Sequence, residues 1–132
     1  MKLYHGTTRN RIVKILKEGL KPRVERKSSC FDLDGKRVRA VGFTEEFRIA
    51  SAFACRKSYM YSGLPVVLKI EYPRSKLLTL IEKESGHIGK VSKKRIPGKY
   101  ITGFNTVKLI SLKKTAKILK LKIEARGYVS AK

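Results

Sequence analysis

Apolar positions change their period along this chain, and the changes mark its elements. Lys2 to Tyr4 reads as a short strand running into a loop. Over residues 8 to 18, Ile12, Val13, Ile15 and Leu16, followed by Leu20, recur at helical spacing. Thr7, Thr8 and Asn10 are candidate N-caps, Gly19 is the expected glycine after the last turn, and Pro22 stops any continuation. Residues 23 to 40 are polar and charged and contain Asp34-Gly35, which predicts a mobile loop with a turn. AVGF, residues 40 to 43, predicts a short strand. Thr44 before Glu45 and Glu46 then predicts a capped helix start, with acids at the positive end of the helix dipole. Phe47, Ala50, Phe53 and Ala54 are expected on one face of that second helix.

The second half reads as strands. VVLKIEY (66–72) is β-branched and apolar, as a central strand requires. LLTLIEKE (77–84), VKLISL (107–112) and ILKLKIEA (118–125) are further candidates. In the last, Leu119, Leu121 and Ile123 alternate with Lys120, Lys122 and Glu124, which predicts one buried and one charged face. The order β-α-β-α followed by strands predicts an α+β fold, a mostly antiparallel sheet flanked by two short helices. One domain is expected over residues 1–126, with a frayed tail at 127–132.

Length supports that count, since 132 residues suffice for one core but not two. The longest apolar runs are about five residues, too short to span a bilayer. No charged-then-apolar leader precedes the first strand, which predicts a cytoplasmic protein. Cys30 and Cys55 lie far apart, without a Cys-x-x-Cys, and there are only 2 histidines, so two reduced thiols are expected and no metal site. Charge changes the picture more. Lys and Arg number 32 against 10 acids, a net +22. Self-repulsion of that size opposes folding, so a polyanionic partner is expected, with nucleic acid ahead of an anionic membrane because no strongly amphipathic basic helix is present.

The chemistry concentrates at His5-Gly6-Thr7. A histidine at a strand end, then glycine and a helix start, can hydrogen-bond a ribose hydroxyl, admit a ligand close to the backbone and favour a phosphate. LYHGT followed by I-x-x-I-L-x-x-G-L-K-P resembles the first motif of the ADP-ribosyltransferase superfamily, in its poly(ADP-ribose) polymerase-like branch. AVGFTEEFRIASAFA (40–54) resembles the second motif, PVVLKIEYP (65–73) the strand after it, and RIPGKYITGFNTVKLISL (95–112) the third region. The resemblance runs from residue 3 to about 112. It implies NAD as cofactor, His5 on a ribose hydroxyl, the Gly6 backbone and Thr7 in the same binding segment, and Phe53 stacked on the nicotinamide, with Ala50 a turn earlier.

The chain departs from that pattern twice. Gly42 stands where the family has a tyrosine, and Lys93, Lys94 and Lys99 occupy the stretch where its catalytic glutamate is expected. Glu82 and Glu84, at i and i+2, are the nearest acids and share one face of a strand. Their spacing resembles the Glu-x-Glu of the superfamily's arginine-specific members, and that resemblance implies Glu84 as the catalytic carboxylate. A second branch, the RNA 2′-phosphotransferases, uses histidine and arginines instead, and its His-Gly-Thr-x-Arg motif is similar to HGTTR at residues 5 to 9. That resemblance implies catalytic roles for His5 and Arg9 and a phosphate-binding role for Arg56, because a planar guanidinium grips two phosphate oxygens. Two functions are therefore expected in competition. One is NAD-dependent ADP-ribosyl or 2′-phosphate transfer to nucleic acid; the other is a basic DNA- or RNA-binding scaffold whose active site has decayed.

Overall fold

A computed structural model describes residues 2–21, 31–33, 36–38, 41–73, 75, 78–81, 88–92, 94–119, 122–123 and 129–130. The described fold is α+β, with strands paired antiparallel throughout. In chain order the strands are β1 (Lys2–Thr8), β2 (Phe31–Leu33), β3 (Lys36–Val38), β4 (Val41–Phe43), β5 (Pro65–Glu71), β6 (Leu78–Ile81), β7 (Ile88–Ser92), β8 (Ile101–Thr106), β9 (Lys122–Ile123) and β10 (Val129–Ser130). The helices are α1 (Ile12–Glu18), α2 (Phe47–Tyr61) and α3 (Leu112–Leu119).

The central sheet has the order β1-β5-β8 and a second three-stranded sheet the order β4-β7-β6. They meet where Tyr4 and Thr44 exchange backbone hydrogen bonds of 2.8 and 3.1 Å. β5 is buried because it is central: Val66, Val67, Leu68 and Ile70 have no exposed surface. Its two faces serve different layers. Leu68 and Ile70 join Leu3, Ile15, Leu20, Val41, Phe43 and Ile96 in the main core, while Val67 packs against Ala50 and Ala54 of α2. Burial of an aliphatic side chain contributes about 1.5–3 kcal/mol, so this strand anchors the molecule.

α1 carries the predicted periodicity but starts late: β1 runs on to Thr8, a 3₁₀ turn at Arg9–Arg11 follows, and the helix begins at Ile12 behind Arg11, with no side-chain cap from Thr7, Thr8 or Asn10. Gly19 ends it with φ +81°, a conformation that disfavours side chains. Its apolar stripe is only partly used: Ile12, Ile15 and Leu20 are buried, but Val13 is 79% exposed. Leu20 then exchanges two 2.9 Å backbone hydrogen bonds with Ile96, tying the region around Pro97 to the core.

Several expectations are corrected. Among the described residues three α-helices flank the sheets rather than two, and α2 runs for 15 residues. Residues 107–111, expected within a strand, are irregular, and the strand of this region is β8 (Ile101–Thr106), ahead of the expected one. Leu112–Leu119 is helical, so the strand expected at 118–125 is reduced among the described residues to Lys122–Ile123. Ser111 explains the helix start: its hydroxyl accepts the Lys114 N–H at 3.1 Å, the bond of an N-cap. Thr115, Ala116 and Leu119 are buried at helical spacing, the last two against Ile49 and Ala52 of α2. The competing alternation at 119–124 concealed that spacing.

Thr44 does not cap α2 either. Its hydroxyl accepts the Glu46 N–H at 3.1 Å, making a turn just ahead of the helix, and Glu46 takes the capping position. Residues 31–33 and 36–38, within the expected loop, pair as a hairpin; Asp34 and Gly35 between them lie outside the described residues. Val129–Ser130 pairs with Lys122–Ile123 in the stretch expected as a frayed tail.

Candidate functional site

The backbone register of β1 builds the site. Arg9 N–H donates to Leu64 C=O at 2.8 Å, and Tyr4 turns its own N–H and C=O the other way, to Thr44. Because backbone groups alternate along an antiparallel ladder, residues 3, 5 and 7 bond β5 while Tyr4, Gly6 and Thr8 face the outer edge. Gly6 therefore presents its peptide groups just past the junction of the two sheets. The neighbouring His5 side chain points to the opposite face from α2, beside β4.

Gly6 is also where α2 comes closest. A Cβ at this position would clash with the backbone of Ala50 and Ala54, meeting Ala50 O and Ala54 N. Glycine in β1 and alanines one helical turn apart in α2 let two backbones touch. Close packing is thus a complete structural reason for Gly6, independent of any ligand.

The same helical stripe continues to Lys57, three residues beyond Ala54. Its ammonium donates to Gly6 C=O at 2.9 Å and lies 3.3 Å from His5 Nε2. On its other side His5 Nδ1 is 2.7 Å from Gly42 C=O. A carbonyl accepts only, so Nδ1 carries the proton and Nε2 accepts from Lys57. Burial lowers the His5 pKa from 6.5 to about 3, reinforced by the positive charge of Lys57, opposed by the Gly42 carbonyl and lowered further by Arg11. The imidazole is neutral at physiological pH, and its charged neighbours are both cations. Phe43 closes the site, with ring centroids 5.9 Å from His5.

The other predicted residues are distributed unevenly around this centre. Thr7 is buried on the His5 face of β1, and Arg9 is exposed in the 3₁₀ turn that follows. Arg56 is 1% exposed and engaged with its surroundings, a buried cation beside Lys57 in sequence. Phe53 packs among Ile49, Ala52, Ala116 and Leu119 between α2 and α3, in a different cluster from the Ala50–Ala54 stripe that meets Gly6. Glu82 and Glu84 lie outside the described residues. Among the described residues no cluster of His, Cys, Asp or Glu is suited to a metal ion. Cys55 carries a free, buried thiol whose pKa burial raises, partly offset by the Ile110 backbone; Cys30 lies outside the described residues. No helix among the described residues is long and apolar enough to cross a membrane.

Lys57 and Arg11 are the participants that motif reading missed. The signal for Lys57 was the spacing 50, 54, 57, one continuous helix face directed at β1. Arg11 carried no such signal, since only folding brings the 3₁₀ turn into electrostatic reach of His5. Gly42 contributes through its backbone, which no side-chain motif records. Compared with known protein families and with curated proteins, the chain matches none.

Proposed function

We propose that the chain is a diverged ADP-ribosyltransferase-like protein that binds NAD at the His5-Gly6 edge of β1 and acts on nucleic acid. The observation that carries this reading is the outward-facing Gly6 peptide beside a neutral histidine whose charged neighbours, Lys57 and Arg11, are both cations. A neutral imidazole can hydrogen-bond a ribose hydroxyl, and an outward peptide can pair with a carboxamide. Two cations suit phosphates, whether those of the dinucleotide or of an RNA 2′-phosphate. They suit a departing nicotinamide less, which favours the phosphate-handling branch of the resemblance over the glutamate-dependent one. In that role Lys57 moves from Gly6 C=O to a phosphate oxygen, releasing Nε2 for the ribose. The net charge of +22 supplies the attraction for a nucleic-acid acceptor.

A second reading has its own observation. Lys57 occupies both the Gly6 carbonyl and His5 Nε2, so the groups a ligand needs are already satisfied within the chain. A decayed site that survives as a basic nucleic-acid-binding scaffold has this arrangement as its resting end point.

Adenylate-labelled NAD, offered with single-stranded DNA, RNA or 2′-phosphorylated RNA, distinguishes them. The enzyme labels one acceptor, and His5→Ala abolishes the label. The scaffold transfers nothing, while its oligonucleotide affinity is unchanged by His5→Ala and drops about 10³–10⁵-fold between 50 and 200 mM salt if six to ten phosphates are contacted. A shallow salt dependence contradicts nucleic-acid binding in either form.

A further inference from the structure

We propose that the outer edge of β8 is a docking site for an acidic polypeptide, which adds to the central sheet as a fourth strand. The proposal is independent of what binds at His5. β8 ends the order β1-β5-β8, and no described strand pairs with its outer side. Its hydrogen-bond phase follows from its neighbours. Val107 N–H donates to Pro65 C=O, so Gly103 and Asn105, in phase with Val107, bond β5 through Lys69 and Val67. Phe104 and Thr106 therefore direct their N–H and C=O groups outward. Both residues are exposed, Phe104 at 48%.

Open edges are ordinarily guarded locally, by lysine, proline or an inward-pointing charge. β8 has none of these. The sequence ITGFNT carries no charge, in a chain of which 32% of residues are charged. The one irregularity, between Lys69 and Ile70, lies at the start of the strand and leaves Phe104 to Thr106 regular. The guard is instead the charge of the whole molecule. Two copies at +22 repel. A second copy is therefore disfavoured at this edge.

The same charge selects the occupant. Exposed Lys99 and Lys108 flank the uncharged strand, one before and one after it. A row of alternating donors and acceptors is matched by another peptide backbone. Nucleic-acid phosphates only accept, so they leave the outward carbonyls of Phe104 and Thr106 without donors. A partner strand of small or β-branched residues with Asp or Glu at its ends satisfies both the backbone row and the flanking lysines. Exposed Phe104 gives it an aromatic cross-strand neighbour.

The test uses a fluorescent peptide of alternating Thr and Val with two Glu at each end, and matching peptides ended by Ser or by Lys, titrated into the full chain. Binding of the Glu-ended peptide at least about tenfold tighter than the Ser-ended one, with protection of the Phe104 and Thr106 amides from hydrogen exchange, supports the proposal. Phe104→Pro removes an outward N–H without removing a bond to β5, and is expected to weaken binding at least about tenfold. Phe104→Lys, which restores a local guard, keeps the backbone intact should the proline variant fold poorly, and is expected to weaken binding as well. Equal binding of Glu- and Ser-ended peptides, binding indifferent to both substitutions, or no protection at Phe104 and Thr106 overturns it. So does a concentration-dependent dimer of the free chain that Phe104→Pro abolishes, since the edge then belongs to a second copy.

Discussion

The two edges of the central sheet are finished in opposite ways. At β1 the outward groups of Tyr4 are taken by Thr44, the Gly6 carbonyl by Lys57, and α2 lies against the strand so closely that only glycine fits. At β8, Gly103 has open space where a side chain would be, with nothing within 4 Å, and the residues after it are exposed. Strand propensity does not separate the two, since both segments mix apolar residues, threonine and glycine. What separates them is the neighbour: a helix and a second sheet cover β1, and nothing described covers β8. A glycine in a strand is thus evidence of function or of packing only once its surroundings are known.

The same substitution on both edges breaks the comparison most sharply. Gly6→Ala forces a Cβ against two backbone atoms of α2, neither of which can rotate away. It is expected to lower stability by about 3 kcal/mol, read as a shift of the denaturant midpoint at unchanged slope. If Gly6→Ala is tolerated, α2 does not sit as closely on β1 as the geometry states.

Acid addresses the His5 site itself. The imidazole titrates at about 3 when folded and at 6.5 in the free side chain, so between those values the unfolded chain binds the additional proton. Its stabilising share is complete above about pH 6.5 and is lost as the pH falls toward 3, at up to about 1.4 kcal/mol per unit. Denaturant midpoints at pH 7, 5 and 4 should decline for the native chain and decline less for His5→Gln. Equal declines place the acid sensitivity elsewhere.

A smaller effect sharpens the role of Lys57. Lys57→Met removes a positive neighbour, and the His5 midpoint, followed by NMR, should move up toward the ordinary value. The shift is partial, because burial is the larger cause and remains. An unchanged midpoint means the ammonium is not held at the imidazole.

The smallest effect is at the open edge. Gly103→Ala meets no atom and relieves the entropic cost of a glycine in a strand, so it should stabilise the chain by about 0.5 kcal/mol. A loss comparable with that of Gly6→Ala would show that β8 is covered after all.

Local pattern was sufficient for a definite part of this molecule. Ile12 and Ile15 with Gly19, Ala50 with Ala54, and the β-branched run from Val66 to Ile70 each express their element through the side chains of a few adjacent residues. Propensity, capping and periodicity act over one or two turns, so α1, α2 and β5 were readable, as were the α+β class and the charge. The same locality misled at residues 107–119. VKLISL has a strand composition and Leu119 begins an alternating run, but Ser111 caps a helix whose Ala116 and Leu119 fit against α2, and that packing outweighs the alternation. His5 was legible as an unusual histidine, not as a neutral one. Its charge state depends on Gly42, Lys57 and Arg11, which approach from three separate segments of the chain. Tertiary structure alone decided those approaches, along with which edge of the sheet is closed and which is left open among the described residues, because burial and electrostatics act between groups that sequence distance does not relate.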